Sequence, residues 1–454
     1  SIALGANTLT VHTTETTSYA GVIGGTGGLA KAGAGALTLG GNASLVTSTA
    51  LTLGNAIGLA GNTLTLPGSN ALTLGGVISG SGALVKNGAS GLTLNGANTY
   101  SGGTPINGGA LTVGSNTALG TGALTLGAST SLGASTAVSL ANAVNLGANT
   151  LSLVGTNATT LSGVISGTGA LVKSGAADLT LNGANTFSGG LTLNTGKLTV
   201  GNNNALGGGA LTLGGNASLD ANTGVSLANA VNLGANTLSL LGTSATTLDG
   251  VISGTGALVK SGAADLTLNG ANTFSGGTTL NTGKLIVGNN TALGTGALTL
   301  GGNASLDANA TVNLGNATNL DANALSVLGS SATTLSGVIS GTGALIKNGS
   351  DNLTLAGANT FSGGLTLNAG TLTLNSAAAL GTGALTVGGA ATLANNAAMM
   401  THDPIEKLSE EDWDQVINVN LRSVFLLTKY GAKHMRNGGT IVNISSVHAA
   451  ATGI

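Results

Sequence analysis

The sequence predicts a mostly β protein, a parallel β-helix followed by a short α/β segment at its C-terminal end. Three observations carry that prediction. A long internal repeat recurs with a constant interval, short runs alternate strictly between apolar and polar residues, and the composition changes abruptly near residue 394.

The bulk composition is consistent with this reading and excludes several others. Charged residues make up 6% of the 454-residue chain and aromatics 2%, and there are 80 glycines. A typical soluble chain has about 25% charged residues and about 7% glycine. Disorder requires low hydrophobicity with high net charge, whereas here the hydrophobic fraction is 42% and the net charge is −2. The chain therefore has apolar surface to bury, mostly as Leu, Val and Ala. Its near-neutral balance supplies no field to steer nucleic acid or an anionic membrane, and no nucleic-acid partner is expected. The absence of cysteine excludes disulfides and thiolate metal sites. No run of 18 apolar residues is present, so no membrane-spanning helix is expected. The opening "SIALGANTLTVHTTETTSYAG" has neither the basic nor the apolar region of a signal peptide. It reads as mid-repeat sequence, and the chain is expected to be cut from something longer.

The repeat sets the architecture of the first part. Lys86, Lys173, Lys260 and Lys347 are 87 residues apart, and Tyr100, Phe187, Phe274 and Phe361 keep the same interval. The 29-residue stretch "SGVISGTGALVKSGAADLTLNGANTFSGG" from Ser162 recurs from Asp249 with one change. Within each copy, runs such as "DLTLNG", "GKLTVG" and "GALTLGGN" place Leu on one strand face and Thr on the other. Each ends in Gly or Asn, which take the backbone through tight turns most easily. A helix would need a 3.6-residue apolar rhythm that these short, glycine-rich runs lack. A unit with one apolar face needs a neighbour to cover it, and a constant long period supplies one. At about 22 residues per coil, each repeat makes four coils. The region to residue 393 then holds about 18 coils, roughly 85 Å at ~4.8 Å per strand spacing.

The stretch "LTLNGANTFSGGLTLNTGKLTVG" (179–201) resembles the autotransporter-associated β-strand repeat of bacterial secreted passenger domains, and the resemblance runs over roughly residues 20 to 394. It implies a right-handed parallel β-helix that assists passenger folding and transport. It also implies an extracellular or cell-surface location for the parent protein. The implied partner is the outer-membrane translocation machinery or a β-barrel domain, with host or surface glycans as candidate ligands for an adhesive role. A membrane barrel of alternating strands with aromatic girdles is not found in this sequence.

Chemistry is not expected of the solenoid. Its carboxylates are Glu15, Asp178, Asp220, Asp249, Asp265, Asp307, Asp321 and Asp351. Asp178 and Asp265 are one repeat apart, as are Asp220 and Asp307, which marks turn formers rather than a unique catalytic pair. The Gly-Gly-x-Gly-x-Asp pattern of calcium-binding solenoids is absent. The recurring lysines are expected to face solvent beside turns, and the recurring Tyr and Phe to pack at a coil corner. A row of those rings for stacking carbohydrate would be spaced about 19 Å apart.

From residue 394 onward the rhythm is helical. Ser409 with Asp412 resembles a capping box, and Glu410 and Glu411 suit a helix N-terminus. Trp413, Val416, Ile417, Leu421, Val424 and Leu427 fall at helical spacing, and "TIVNIS" (440–445) reads as a buried strand. These residues resemble the short-chain dehydrogenase/reductase family. "LANNAA" (393–398) is similar to the Asn-Asn-Ala-Gly motif after that family's fourth strand, with Ala398 in place of Gly. "NVNLRSVFLLTK" is similar to the helix carrying its active-site Asn, and "GGTIVNISSVHAA" to its fifth strand and catalytic Ser. The resemblance implies vestigial catalytic positions at Asn420 and Ser446, and vestigial cofactor contacts at Asn395, Asn396 and Ala397.

The Gly-rich turn that cradles a cofactor pyrophosphate would precede residue 393, where solenoid repeat stands, and the family's Tyr and Lys would fall beyond Ile454. No cofactor, no metal and no hydride transfer are therefore expected. NAD or NADP enters only under the alternative, an oxidoreductase domain with a solenoid partner. The division is read as 1–393 and 394–454, with the join between 390 and 399. A fragment without most of its sheet is expected to be mobile or to rest against the open solenoid end, where unpaired strand edges invite docking. Far-UV circular dichroism dominated by β signal, together with small-angle scattering from an elongated particle, is the expected outcome for the whole chain. A compact 43 kDa sphere would overturn the solenoid.

Overall fold

The computed structural model describes residues 36–389 throughout. Outside that span it describes the backbone of strands at 2–3, 9–12, 17–19, 23–24 and 29–32, the strand Ala391–Asn395, and residues 409–417, 421–422, 424–425, 428–429 and 439–443. The chain divides into two compact units, Ser1–Asn232 and Leu233–Ile454. Each is a parallel β-solenoid, and together they contain about 18 turns.

In the first unit, Leu171, Leu191, Leu211 and Val231 stand in register, each at most 2% exposed. In the second, Leu325, Leu345, Leu365 and Leu385 also stand in register, the first three at most 1% exposed. The strands are mostly three residues long, with the outer two positions buried and the middle one partly exposed, as in Leu179–Leu181 and Leu298–Leu300. That pattern is the strand period of two at its shortest useful length: two Leu point into the coil, and one Thr points out.

These registers correct the expected coil. Successive partners are 19 to 21 residues apart, not 22, and a coil carries three strands, for example Ile57–Gly58, Leu64–Leu66 and Leu72–Leu74. Four coils consume 80 residues, and the seven left over in an 87-residue repeat carry the chain one side further round. Successive copies within a unit therefore begin on different sides of the coil. In the first unit, Lys86 lies in the sheet of Leu64–Leu66 and Thr104–Ile106, whereas Lys173 lies in that of Leu151–Val154 and Leu191–Leu193. In the second unit, Lys260 and Lys347 likewise belong to different sheets.

The aromatic motif travels with this rotation. Tyr100, Phe187, Phe274 and Phe361 are all fully buried, so they pack in the interior and offer no ring to a carbohydrate. Behind each ring the chain turns at a glycine with positive φ. Gly207 has φ of 65°, and a Cβ there would lie 2.3 Å from the Phe187 carbonyl oxygen; Gly120, Gly294 and Gly381 repeat the arrangement. Only glycine satisfies both the left-handed backbone and the close approach.

The ring and the residue four positions later match in polarity in three of the four copies. Tyr100 hydroxyl and Thr104 Oγ1 are 2.5 Å apart, and burial pushes the Tyr100 pKa up to about 12. In two other copies Phe187 and Phe361 are followed by Leu191 and Leu365, which pair apolar with apolar. The remaining copy keeps Phe274 with Thr278, and Thr278 Oγ1 is buried without a hydrogen-bond partner.

At the C-terminal end of the second unit, Ala391–Asn395 pairs in parallel with Gly370–Leu374 on one side and with Gly439–Asn443 on the other. Helix Glu410–Ile417 lies between the last two strands in sequence, and the expected capping is observed, the Asp412 amide donating to Ser409 Oγ at 3.0 Å. The tail's second strand thus rests on the solenoid end.

Phe274→Tyr is expected to give Thr278 its missing partner and to raise stability by about 1 kcal/mol, a normal net hydrogen bond. A shift of the urea midpoint to higher concentration checks it, and Thr278→Val should give a gain in the same direction.

Candidate functional site

The two places where polar residues could carry function are the polar cluster repeated inside the solenoid and the dehydrogenase-like segment at its end.

The solenoid cluster starts from the recurring lysines, and here the sequence expectation fails. Lys86, Lys173, Lys260 and Lys347 are at most 3% exposed, rather than facing solvent. Each is the third residue of a Leu-Val-Lys or Leu-Ile-Lys strand, so the strand period turns it inward beside the leading Leu. The ammonium is held by backbone carbonyls from its own turn and from the next coil. Lys86 Nζ donates to Gly88 O at 2.5 Å and Gly108 O at 2.8 Å. Lys260 Nζ donates to Gly262 O, Ala264 O and Thr282 O at 2.6, 2.7 and 3.1 Å. Lys173 and Lys347 repeat the pattern with Gly175 and Thr195, and with Gly349 and Ala369. Burial lowers all four pKa values from the usual 10.5, and Asp178, Asp265 and Asp351 partly offset this at Lys173, Lys260 and Lys347. These contacts turn the ammonium groups onto internal carbonyls, three at Lys260 and two at each of the others, so the lysines act as clamps on turn carbonyls that have left the strand ladder.

A second polar element was missed altogether. Asn98, Asn185, Asn272 and Asn359, each two residues before the ring, are at most 3% exposed. Asn185 Oδ1 accepts from the Ile165 amide at 2.8 Å and its Nδ2 donates to Ala205 O at 2.7 Å. The other copies do the same within 0.1 Å. The side chain thereby joins the coil 20 residues before to the coil 20 residues after, where the aromatic motif has displaced a regular strand. The signal for it was the fixed "NxY/F" spacing.

The repeated carboxylates do not converge. Asp178 and Asp265 pair with Lys197 and Lys284 at 2.9 and 2.8 Å, on the surface. Asp220 and Asp307 lie within strands, not turns, each accepting from the following amide. Among the described residues no three His, Asp or Glu groups gather in a way that could hold a metal ion. The cavities beside Lys86 and Lys173 are about 20 and 10 Å³, room for a single water at most.

Of the dehydrogenase-like positions, Asn395 is the last residue of its strand, in register with Leu374 and Asn443. Asn396, Ala397, Asn420 and Ser446 lie outside the described residues. The structure thus brings side by side the two segments that resemble the family's fourth and fifth strands.

Comparison with known proteins finds both resemblances. The family model for the passenger-associated-transport repeat matches residues 29–46, 84–113, 171–200, 258–287 and 345–374. The last four segments each begin on the lysine-bearing strand and enclose the Asn bridge and the ring. The short chain dehydrogenase model matches residues 376–454. Among curated proteins, the chain is 41% identical over 63 residues to 2-dehydro-3-deoxy-D-gluconate 5-dehydrogenase of Escherichia coli, which is 13% of this chain and 25% of that protein. It is 43% identical over 56 residues to cyclopentanol dehydrogenase of Comamonas sp., which is 12% and 22%. It is 46% identical over 54 residues to an uncharacterized oxidoreductase of Thermotoga maritima, again 12% and 22%. The chain spans about a quarter of the length of these relatives. No solved structure matches it significantly. The chain is therefore a β-solenoid of passenger-type repeats followed by a short dehydrogenase-like segment.

Replacing Lys260 by Met leaves three carbonyls without their donor and is expected to cost about 3 kcal/mol, at about 1 kcal/mol or more for each buried acceptor. The pH dependence has a definite sign. Because the native pKa lies below 10.5, the unfolded chain binds more protons between the two values, so stability rises with pH across that window. Urea melts at pH 8 and pH 10 should therefore show the parent chain gaining on Lys260→Met as pH increases.

Proposed function

We propose that this chain is a non-catalytic structural stretch of a secreted or surface-displayed passenger, and that its dehydrogenase-like segment turns over no substrate. The observation that carries this reading is positional. In dinucleotide enzymes the phosphate-cradling Gly-rich turn belongs to the first βαβ unit, ahead of the fourth strand. Here the residues ahead of Ala391–Asn395 are solenoid coils, and the strand beside it, Gly370–Leu374, packs Leu372 and Leu374 inward like any other coil strand. Among the described residues ahead of that strand, no helix N-terminus stands to receive a pyrophosphate.

The passenger role follows from the repeat match and from the way each coil is built. Every coil completes itself on its neighbour, which suits a chain that emerges from a translocation pore and folds outside it. The partner is then the outer-membrane translocation machinery or a β-barrel domain of the parent protein. Among the described residues the outer rows of Thr and Asn carry no ring, so adhesion, where it occurs, runs through hydrogen bonds to surface glycans rather than through stacking.

Titration of the chain with NAD(H) and NADP(H), followed by calorimetry, tests the reading. No saturable binding up to millimolar cofactor is expected. Saturable micromolar binding would overturn it in favour of an oxidoreductase domain carried by a solenoid.

A further inference from the structure

The dehydrogenase-like segment continues the sheet of the last coil. Leu353–Leu355, Gly370–Leu374, Ala391–Asn395 and Gly439–Asn443 form one parallel ladder, with five residues in register at each of the last two steps. In a doubly wound sheet of order 3-2-1-4-5-6, the fourth strand sits between the first and the fifth. With Ala391–Asn395 in the place of the fourth strand and Gly439–Asn443 in that of the fifth, the solenoid strand Gly370–Leu374 stands where the first would be.

The register also matches chemically on the inner side. Leu372 and Leu393 are fully buried and Ile441 continues their row, half-buried. On the outer side the two architectures part. The row on the other side reads Thr354 and Thr373, the first buried and the second partly exposed, whereas Ala394 and Val442 follow them, and Val442 is 39% exposed. Strands of parallel α/β sheets are apolar on both faces because helices cover both. Val442 keeps that two-sided character on an edge that needs only one.

We propose that the dehydrogenase-like segment serves as the end cap of the solenoid. Its strand Gly439–Asn443 covers the edge of Ala391–Asn395 on one side of the coil, and that coil supplies the neighbour which the segment's own first strand would have been. An unpaired parallel edge is a template for adding another chain, and solenoids depend on terminal caps to stay soluble. The inference rests on the dehydrogenase-like reading of the tail and is independent of the passenger role.

Hydrogen exchange and sedimentation on the full chain test it, against two variants. Ile441→Pro/Val442→Pro removes consecutive amides, so one of the two lost N–H groups faces the ladder. Val442→Thr keeps the ladder and restores the outer Thr row. Expected are slow exchange at 391–395 and 439–443 in the parent, about tenfold or more faster exchange at 391–395 in the proline variant, and unchanged exchange at 298–300 in both variants. The parent and Val442→Thr should sediment as monomers, and the proline variant should associate as concentration increases. Fast exchange at 439–443 in the parent, unchanged exchange at 391–395 in the proline variant, or a proline variant that stays monomeric would each overturn the cap. Cofactor binding in the titration above would sink the passenger reading and leave this exchange pattern as it is.

Discussion

Everything in this molecule answers to one requirement: an aliphatic side chain inside one coil must lie on an aliphatic side chain of the next. The aligned Leu and Val of the two units meet it with almost no exposed area, at about 2 kcal/mol for each side chain removed from water. The requirement fixes the register, because a slip of one residue would turn every Leu outward and every Thr inward. It also fixes the coil length, since three short strands and three turns take about 20 residues to return above their starting point. Very few charges are compatible with it. A chain with 42% hydrophobic residues and 6% charged ones can afford this interior and little else.

The same requirement explains why the polar residues inside are so alike from copy to copy. Where the chain leaves the ladder, backbone carbonyls and amides are stranded in an apolar interior, and each orphan would cost about 1–3 kcal/mol. Lys86 and its equivalents gather carbonyls from two successive coils. Asn98 and its equivalents take an amide from the coil before and give to a carbonyl of the coil after. A long flexible stem suits the first task, because its methylenes pack with Leu while its head reaches the turn. A short amide with a donor and an acceptor suits the second. The 20-residue coil and the 87-residue repeat are incommensurate, so these patches fall on successive sides. No single side of the solenoid accumulates all the interruptions.

This division of labour determines what could be read from the sequence. The strands, the solenoid class and the capping at Ser409 were legible because they rest on local signals: period-two alternation, Gly and Asn at turns, and a hydroxyl followed by an acid three residues on. The coil length was misjudged because the conspicuous period belongs to the repeat, and 87 residues divide into four coils only if the seven-residue remainder is spread among them. The lysines were misplaced by letting charge overrule position. In "LVK" the same alternation that buries Leu84 also buries Lys86. The Asn bridges are harder to read for a different reason. Their partners lie 20 residues away on either side, and only the fixed Asn-x-Tyr/Phe spacing separates such an Asn from one at an exposed corner such as Asn107.

The join between the two kinds of sequence works because both architectures are made of parallel strands at one spacing. A solenoid returns the chain by a coil and a doubly wound sheet by a helix, but the next strand arrives in the same direction either way. Leu393 meets the demand of both: it is buried over Leu372 as a coil residue, and it belongs to the apolar run that precedes Asn395 and Asn396 in the dehydrogenase-like motif. The mismatch appears only where the next layer should be. Of the described residues, Trp413, Leu421, Phe425 and Val442 in the tail all expose large apolar surface, whereas the exposed large apolar residues described in the solenoid are valines. Backbone complementarity is therefore enough to hold the segment's strands on the solenoid. Covering its second face would take the helical layer of a complete α/β domain, in place of the solvent-facing Thr rows that the coils provide.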